Sequence, residues 1–473
     1  MIDRGESEQH LQPLKTTPES TFAIFRDVRK ARKEGPEGVS RRQRARLREL
    51  IAYVRAHSPY YRELYADLPA SLDDVRPLPV TNKQKLSERF DDWVTDRELT
   101  LAKVRAHADD PDKVGQKLHG KYTVTTSSGT TGRRAFFLMS EETKTVGGLL
   151  VLRAMSSVLS TWKVLKILTA SGRTAMLVPT GGHFGSHVLA TQKRDASARR
   201  KRSMRIFPVT TPMPELVEQL TAFQPTYVEC YPTVALLLTG EREAGRLAIA
   251  PEFLAICGEG LTENEYARMR AAFGTTVLDL YGANEFPGLM IKCPEGWYHL
   301  HDDWMIFEPV DAHYQPTPPG ERSHTVLVTV LYRREQPILR YDIGDSILVR
   351  PDPCPCGNPF QAIKVNGRVP IMLHFPTPGG EVRTLSSFVV SLQIELAGGV
   401  ELFQIVQTAP ETLRVRLQPR AGADPEKVWR DAHLALSSML TKHGLAHVAI
   451  ERGTEPPELS PGGKLQSVIP LGR

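Results

Sequence analysis

Strand-like and helix-like segments alternate from about Ser203 onward, and this alternation constrains the fold of the chain more than any other feature. The strand-like runs, which are short and largely apolar, are 204–209, 227–230, 253–257 and 276–281. The helical patterns between them are 216–223, 233–238 and 265–273. Because strands that alternate with helices pair in parallel through right-handed crossovers, the pattern predicts a sheet with helices on both faces.

The C-terminal part of the chain follows a different pattern. Residues 400–408 and 412–418 alternate like two paired strands, residues 425–443 have a helical pattern, and residues 447–450 form a further strand-like run. Strands and a helix in this order predict a separate small α+β domain.

The two patterns divide the chain into three predicted parts. Residues 1–39 are polar and lack periodicity, so we expect a polar, irregular N-terminal extension there. Residues 40–367 are predicted to form a large α/β domain with mostly parallel sheets covered by helices. Residues 368–473 are predicted to form a small, mobile C-terminal α+β cap.

Composition excludes several classes of protein. Hydrophobic residues make up 41% and charged residues 24% of the 473 residues, as in ordinary globular proteins. A net charge of +6 is small for this length, so we expect no nucleic-acid partner. The polar start MIDRGESEQH is unlike a secretory signal, and no long apolar run suggests a membrane segment. With five cysteines, too few for a disulfide scaffold, we expect a cytoplasmic protein.

A run of hydroxyl and glycine residues follows a β-prone segment in KYTVTTSSGTTGRR, residues 121–134. Gly129 and Gly132 allow backbone conformations in which successive N–H groups converge on an anion, and Arg133 adds charge. The Gly-Lys-Ser/Thr ending of a Walker motif is absent. The segment predicts either a phosphate-binding loop or a solvated surface loop.

Two segments place acidic residues at the ends of apolar runs. LDLYGANEF, residues 278–286, contains Glu285, which could hold Mg²⁺ beside phosphates because hard cations prefer carboxylate oxygens. LRYDIGD, residues 339–345, ends with Asp345, and a carboxylate there can accept two hydrogen bonds from a ribose diol. Each segment alone is also typical of a surface turn.

Taken together and in this order, the segments resemble those of the adenylate-forming superfamily, which includes acyl-CoA synthetases, adenylation domains and luciferases. Within it, the chain most resembles the phenylacetate–CoA ligase-like branch, from about Arg41 to Leu471. The matching segments are RELIAYVRAHSPYYRELYADL, LPVTNKQKL, SSGTTG, CYPTVALLL, GEG, YGANE, RYDIGD, NGR and a C-terminal GK. The ordered set is far more specific than any one of its members.

The resemblance implies a role for each residue that matches a family motif. The residues implied to hold the ATP phosphates are Ser127, Ser128, Gly129, Thr130, Thr131 and Gly132. The residues implied to surround the adenosine are Gly258, Glu259, Gly260, Tyr281 and Gly282 near the base, and Asp345 at the ribose. The implied catalytic residues are Glu285 as a magnesium ligand, Arg368 at the domain junction, and Lys464, which would reach the α-phosphate and the attacking carboxylate.

The reaction implied by the resemblance is that of an ATP-dependent, AMP-forming ligase. Such an enzyme adenylates a carboxylic acid, here expected to be aromatic, and releases pyrophosphate. The acyl group then passes to a thiol, of coenzyme A or a carrier protein, or to an amine. Two alternatives stay open: a nitrite-activating enzyme that forms an N–N bond, as in bacterial secondary metabolism, and a nucleotide-binding homologue without ligase activity. A homodimer is a candidate assembly.

The chain departs from the family pattern where its two domains would hinge. Gly367-Arg368 is followed by Val369-Pro370, and proline restricts φ at a position that is expected to rotate. Transfer to coenzyme A needs that rotation, whereas adenylation does not. Coenzyme A is therefore one candidate acceptor among several.

Cysteine spacing predicts a metal site. Cys354 and Cys356 lie in a turn-rich segment, and Cys293 and His299 are spaced C-x₅-H earlier in the chain. Three thiolates and one imidazole form a complete tetrahedral zinc set without an open position, so we predict a structural zinc ion. His301 is an alternative ligand, and the other alternative is that the four residues are unrelated. Many members of the phenylacetate–CoA ligase-like branch carry a similar set.

Overall fold

A computed structural model of the chain describes residues 20–127, 134–168, 172–366, 371–458 and 466–472. These residues have the α/β fold that the alternating pattern predicts. No helix within those ranges combines the length and the apolar character that a bilayer span requires.

Helices occur throughout the described ranges. They are α1 (Thr21–His57), α2 (Pro59–Leu64), α3 (Lys83–Glu88), α4 (Phe90–Trp93), α5 (Leu101–Ala108), α6 (Glu141–Val158), α7 (Thr161–Leu168), α8 (Gly185–Asp195), α9 (Ala198–Ser203), α10 (Met213–Phe223), α11 (Pro232–Glu243), α12 (Glu263–Phe273), α13 (Ser387–Ala397) and α14 (Pro425–Lys442), with a 3₁₀ turn at Pro111–Lys113.

Strands are short and numerous. They are β1 (Thr81–Asn82), β2 (Lys117–Leu118), β3 (Tyr122–Thr126), β4 (Phe136–Met139), β5 (Thr174–Val178), β6 (Met204–Pro208), β7 (Tyr227–Cys230), β8 (Phe253–Cys257), β9 (Thr276–Ala283), β10 (Phe286–Ile291), β11 (Tyr298–His299), β12 (Met305–Val310), β13 (Thr325–Val330), β14 (Tyr341–Asp342), β15 (Ser346–Val349), β16 (Ala362–Asn366), β17 (Met372–Pro376), β18 (Val382–Ser386), β19 (Val400–Ala409), β20 (Thr412–Pro419), β21 (Ala449–Arg452) and β22 (Val468–Ile469).

The central sheet has six strands in the order β10-β9-β8-β7-β5-β6. Strands β5 to β9 pair in parallel, and β10 pairs antiparallel with β9 at one edge. The predicted runs 227–230 and 253–257 coincide with β7 and β8, and helices α10, α11 and α12 form the predicted crossovers. The parallel α/β arrangement predicted for this part of the chain is confirmed.

The remaining sheets surround this one. Their strand orders are β1-β14-β13-β12, β2-β3-β4, β11-β16-β15, β17-β18 and β21-β20-β19-β22. Pairing within them is antiparallel except for the parallel pairs β1–β14, β19–β22 and β20–β21. The sheet β2-β3-β4 carries the start of the Ser/Thr/Gly segment. The second acidic segment contains β14 and ends directly before β15.

The loop after β8 is fixed at both ends. Gly258 begins it with a φ of 101°, a conformation that favours glycine. At its other end Thr262 and Glu265 form a capping box, in which the Glu265 carboxylate accepts from Thr262 N at 2.7 Å. Capping satisfies the first N–H groups of α12, so the loop leaves the carboxyl end of β8 in a defined direction.

Residues 21–39 differ from the irregular extension that we expected. Helix α1 includes them, with a kink at Gly35 where φ is 67°, and Ile24, Val28 and Ala31 are buried in the core. These three side chains lie four and three residues apart, which places them on one face of a helix. The many charged residues between them hide this short apolar stripe in the sequence.

The C-terminal region packs against the rest of the chain. Strands β19 and β20 form the predicted hairpin, and α14 matches the predicted helix. The Phe388 ring of α13 stacks on Tyr231 with centroids 4.6 Å apart, and His443 Nε2 lies 3.2 Å from Thr210 O. The boundary predicted between residues 367 and 368 lies outside the described residues, so the division into domains stays a prediction.

Candidate active site

The Ser/Thr/Gly segment connects two strands of an antiparallel hairpin. Strand β3 ends at Thr126, and β4 begins at Phe136. Between them Ser127 N donates to Ala135 O at 3.0 Å, and Ala135 N donates to Ser127 Oγ at 3.2 Å. The two bonds close the base of the connection. The other residues implied to bind phosphate, Ser128, Gly129, Thr130, Thr131 and Gly132, lie outside the described residues.

The last residue of β3 is tied to two other segments. Thr126 N donates to His183 O at 2.7 Å, and Asn284 Nδ2 donates to Thr126 O at 3.4 Å. The buried ring of His183 packs edge-on against His107, with centroids 5.3 Å apart. This contact packs the His183 ring against α5, which contains His107. Asn284 brings the base of the hairpin next to Glu285.

The Gly-Glu-Gly segment lies at the carboxyl end of β8. A Cβ atom at Gly258 would lie 3.2 Å from the Tyr231 ring, so the backbone approaches this aromatic closely. The Glu259 carboxylate accepts hydrogen bonds from the backbone N–H of Thr233, at 2.9 Å, and from the Thr233 hydroxyl. Thr233 lies in the first turn of α11, and a carboxylate there caps the helix. The side chain of Glu259 thus fixes the loop to the start of α11.

The two acidic segments meet through a tyrosine of the first. Tyr281, in β9, donates its hydroxyl proton to Asp345 Oδ2 at 2.9 Å. The Tyr281 ring also contacts Phe286 and Tyr298, with centroid distances of 5.6 and 5.7 Å. At the next residue, Gly282, a Cβ atom would lie 2.2 Å from the Leu289 side chain, so a larger residue would displace it.

A second tyrosine joins the same segments in the opposite direction. Tyr341, in β14, donates its hydroxyl proton to Glu285 Oε1 at 3.1 Å. Burial raises the pKa of Glu285, whereas Lys83, Tyr341 and Arg333 each favour its ionised form. Each acidic segment therefore supplies one carboxylate and one tyrosine that bonds the carboxylate of the other.

Arg333 is a residue of this site that sequence reasoning missed. Its guanidinium is fully buried, and Nη1 donates to the carbonyls of Asn284 and Glu285 at 2.6 and 2.8 Å. Nη2 donates to Leu138 O at 2.8 Å and to Gln336 Oε1 at 2.9 Å. The polar run Arg-Arg-Glu-Gln after the apolar strand β13 was the available signal, but such a run usually marks a solvated turn.

Two of the residues implied to act in catalysis are not placed by the structure. Arg368 and Lys464 both lie outside the described residues. Of the implied nucleotide and magnesium residues, the structure brings Tyr281, Glu285 and Asp345 together. Gly258, Glu259 and Gly260 follow β8, the parallel neighbour of β9.

The four predicted zinc ligands converge. One ligand atom from each of Cys293, His299, Cys354 and Cys356 lies within 4.8 Å of every other. The Cys293 and Cys354 sulfurs are 3.9 Å apart, close to the roughly 3.8 Å edge of a tetrahedron with Zn–S bonds of about 2.3 Å. The donor set and its spacing fit a tetrahedral metal ion.

The ring of His299 is oriented for this cluster. Its Nδ1 lies 2.9 Å from Phe360 O, and its Nε2 faces Cys356 Sγ at 3.1 Å. A hydrogen bond from Nδ1 to a carbonyl fixes the tautomer whose Nε2 can bind a metal.

His301 is not part of the cluster. Its Nδ1 accepts from Arg153 Nη2 at 2.9 Å, which leaves Nε2 to donate to Leu289 O at 3.3 Å. Both ring nitrogens are therefore engaged outside the group of four ligand atoms, which favours His299 over His301 as the predicted imidazole ligand. The same arginine forms a buried ion pair with Asp303, with its Nη2 atom 2.8 Å from Oδ1.

Comparison with known protein families found no family model that matches the chain. Among curated proteins, the chain is similar to phenylacetate-coenzyme A ligase of Thermus thermophilus, at 25% identity over 332 residues. The match covers 67% of this chain and 66% of the length of that relative.

Solved structures with the same fold cover nearly the whole chain. A 2-hydroxyisobutyryl-CoA ligase in complex with 2-HIB-AMP and CoA, in the thioesterification state, gives a TM-score of 0.56 at 20% identity and covers 93% of this chain and 91% of its own. The same ligase in its postadenylation state with R3-HIB-AMP gives a TM-score of 0.52 at 20% identity, covering 92% and 89%. At this identity, the likeness establishes the shared fold.

Proposed function

We propose that this chain belongs to the phenylacetate–CoA ligase-like branch of the adenylate-forming superfamily. In this proposal it is an ATP-dependent ligase that converts a carboxylic acid into its acyl adenylate and releases pyrophosphate. The observation that carries the proposal is the convergence of Glu285 and Asp345, each hydrogen-bonded by a tyrosine of the other's segment. The hairpin that carries the Ser/Thr/Gly segment is tied to the same place through Asn284.

Each carboxylate suits one part of the nucleotide. Asp345 can accept hydrogen bonds from the two ribose hydroxyls, as carboxylates do in other nucleotide sites. Glu285 presents hard oxygen donors of the kind that Mg²⁺ prefers. A magnesium ion held there would neutralise charge on the phosphates. The backbone of the loop at Gly258 is suited to line the adenine.

The chemical step is a substitution at phosphorus. A carboxylate oxygen of the acid attacks the α-phosphorus of ATP, the bond from that phosphorus to the bridging oxygen breaks, and pyrophosphate leaves with the bonding electrons. Negative charge collects on the phosphoryl oxygens, so cationic groups lower the barrier. Lys464 and Arg368 are proposed for this role because they match the catalytic lysine and the junction arginine of the family.

The second step is proposed to be transfer of the acyl group to a thiol. The thiolate attacks the acyl carbon and AMP leaves. Coenzyme A as the thiol is supported by the names of the similar proteins, which are CoA ligases, and an aromatic acid is supported by the phenylacetate enzyme among them. A carrier-protein thiol or an amine acceptor is the alternative that the Val369-Pro370 sequence keeps open.

We further propose that Cys293, His299, Cys354 and Cys356 hold a structural zinc ion. Four donors fill a tetrahedral coordination sphere, so the ion would have no open position for substrate. It would join the turn after β10 to the turn after β15, and we assign it no chemical step. Elemental analysis of chain purified without chelator should return about one zinc per chain.

A pyrophosphate-release assay tests the proposed function. The chain is incubated with ATP, Mg²⁺ and one member of a panel of aromatic and aliphatic acids, with and without coenzyme A. Acid-dependent release of pyrophosphate is expected, and coenzyme A should add acyl-CoA as a product. Release that depends on nitrite would instead indicate the N–N bond-forming alternative. ATP binding without release under any condition would indicate a nucleotide-binding homologue.

A further inference from the structure

Glu285 is held at two levels by residues to which neither the family motifs nor the comparisons assign a role. The hydroxyl of Tyr341 donates to its carboxylate at Oε1, 3.1 Å away. The guanidinium of Arg333 donates to its backbone carbonyl and to that of Asn284, at 2.8 and 2.6 Å. One contact orients the side chain and the other fixes the turn that carries it.

Tyr341 is itself rigidly placed. The residue is 2% exposed, and its backbone pairs with Thr81 of β1 on one side and Val328 of β13 on the other. A tyrosine whose backbone is paired on both sides and whose ring is buried has little freedom to follow a moving partner. The fixed position of the Tyr341 hydroxyl therefore determines the orientation of the Glu285 carboxylate.

Arg333 links the turn that carries Glu285 to the hairpin formed by β3 and β4. Its four hydrogen bonds go to three backbone carbonyls and one side-chain amide, and one of the carbonyls belongs to Leu138 of β4. Strand β4 begins directly after the Ser/Thr/Gly connection, which β3 precedes. A planar guanidinium with donors in fixed directions can hold two segments in one geometry, which an ammonium cannot do.

We propose that Tyr341 and Arg333 are positioning residues that preset the Glu285 carboxylate for a divalent cation bound together with ATP phosphates. The inference rests on the proposed function for the nucleotide and on the contacts above for the residues. Divalent-cation sites depend on carboxylates already in place, because magnesium demands near-ideal octahedral geometry. A glutamate on an unsupported turn would have to lose its rotamer freedom on binding.

The second tyrosine of the site provides a matched control. Tyr341→Phe and Tyr281→Phe each remove one hydroxyl that donates to a carboxylate. Tyr341 is buried, and the Tyr281 ring packs against Phe286 and Tyr298. The first should affect the cation and the second the nucleoside. The experiment measures Mn²⁺ binding by electron paramagnetic resonance in the presence of a non-hydrolysable ATP analogue, and analogue binding without divalent cation by calorimetry.

The two variants should differ in which ligand they bind less tightly. Tyr341→Phe is expected to weaken Mn²⁺ binding about tenfold, as removal of a hydrogen bond to a charged group or of a metal site's outer partner does, and to leave cation-free analogue binding within about twofold. Tyr281→Phe is expected to weaken analogue binding with and without cation. Arg333→Lys is expected to weaken Mn²⁺ binding at least as much as Tyr341→Phe.

Three results would overturn the inference: unchanged Mn²⁺ binding in Tyr341→Phe, an equal loss of both affinities in the two tyrosine variants, or no cation-dependent analogue binding by the parent chain. If Arg333→Lys fails to fold, Tyr341→Phe still decides the matter. Failure of the proposed function is separate: a parent chain that binds Mn²⁺ and analogue but releases no pyrophosphate with any acid would refute ligase activity. The positioning role would then still stand on the Mn²⁺ measurements.

Discussion

Tyr281 donates its hydroxyl proton to Asp345 at 2.9 Å across 64 positions of sequence. The bond connects the central sheet to the sheet that contains β15, since Tyr281 lies in β9 and Asp345 directly precedes β15. Tyr341 and Glu285 repeat the relationship in the opposite sense. The nucleotide site that we propose is thus assembled from reciprocal contacts between two segments, each of which supplies a hydroxyl that bonds the carboxylate of the other.

Replacement of Asp345 by asparagine should weaken ATP binding. The amide keeps the size of the side chain but removes the charge and one acceptor, so only one of two ribose hydroxyls would find an acceptor. Loss of a charged hydrogen bond costs roughly 1.5–3 kcal/mol, which is about a 10- to 150-fold loss of affinity. Calorimetric titration with ATP measures it. Asp73→Asn, at an exposed position, is the control and should bind ATP as the parent does.

The sequence predicted those elements of the fold whose buried residues form a clear local pattern. Strands β7 and β8 were predicted to the residue because each is a short apolar run bounded by polar turns. The buried stripe of Ile24, Val28 and Ala31 was missed because charged residues outnumber it within α1. Local periodicity reports burial only where the buried face is continuous enough to stand out.

The site was predicted in part for a related reason. Glu285 and Asp345 were identified because each belongs to a recognisable segment. The bonds between them and their tyrosines join residues 56 and 64 positions apart, and no local pattern encodes such a contact. Arg333 was missed because its role depends on distant segments that bury it and supply the carbonyls to which it donates. The Cys/His cluster was predicted because each of its two pairs, Cys293 with His299 and Cys354 with Cys356, has a local spacing typical of metal ligands, although the pairs lie about 60 positions apart.

Removal of one metal ligand should lower both metal content and stability. In Cys356→Ser, zinc per chain should fall well below one, and the melting temperature should fall by several degrees, because ligand binding to the folded state stabilises it. Strand β10 runs from Glu285 toward Cys293, and β15 runs from Asp345 toward Cys354, so ATP affinity should also fall. Elemental analysis, thermal unfolding and ATP titration measure the three effects.

The control for the metal experiment is a cysteine outside the cluster. Cys230 is buried in β7, and Cys230→Ala should keep about one zinc per chain. Equal zinc content in parent and Cys356→Ser would refute the proposed ligand set.

Lys464 should be needed for the chemical step and not for nucleotide binding. Lys464→Ala is expected to reduce pyrophosphate release by about two orders of magnitude or more, while the dissociation constant for ATP changes little. Lys442→Ala, at an exposed position at the end of α14, is the matched control and should keep parent activity. Parent-like pyrophosphate release by Lys464→Ala would contradict the role given to this residue.

His183 should make the protein less stable in mild acid. Burial, with a contribution from His107, lowers the pKa of His183 to about 4. Unfolded histidine titrates near 6.5, so between these values the unfolded state binds a proton that the folded state does not. The free energy of unfolding therefore decreases as the pH is lowered through this window. At pH 5 the decrease due to this residue is roughly 2 kcal/mol relative to neutral pH.

Denaturant unfolding of variants isolates this effect. The parent should lose roughly 2 kcal/mol more unfolding free energy than His183→Leu when the pH is lowered from 7 to 5, because the variant lacks the titrating ring. His374→Gln, at an exposed histidine, should show the pH dependence of the parent. If His183→Leu and the parent lose stability in parallel, the ring is not held neutral in the folded state.

The measurement that tests the central claim most directly is acid-dependent exchange of labelled pyrophosphate into ATP. Formation of an acyl adenylate is reversible, so an enzyme that makes one returns label from pyrophosphate to ATP only when its acid is present. We expect exchange with at least one carboxylic acid of an aromatic and aliphatic panel, and its loss in Lys464→Ala. Absence of exchange with every acid, by a chain that binds ATP, would contradict the assignment as an adenylate-forming ligase.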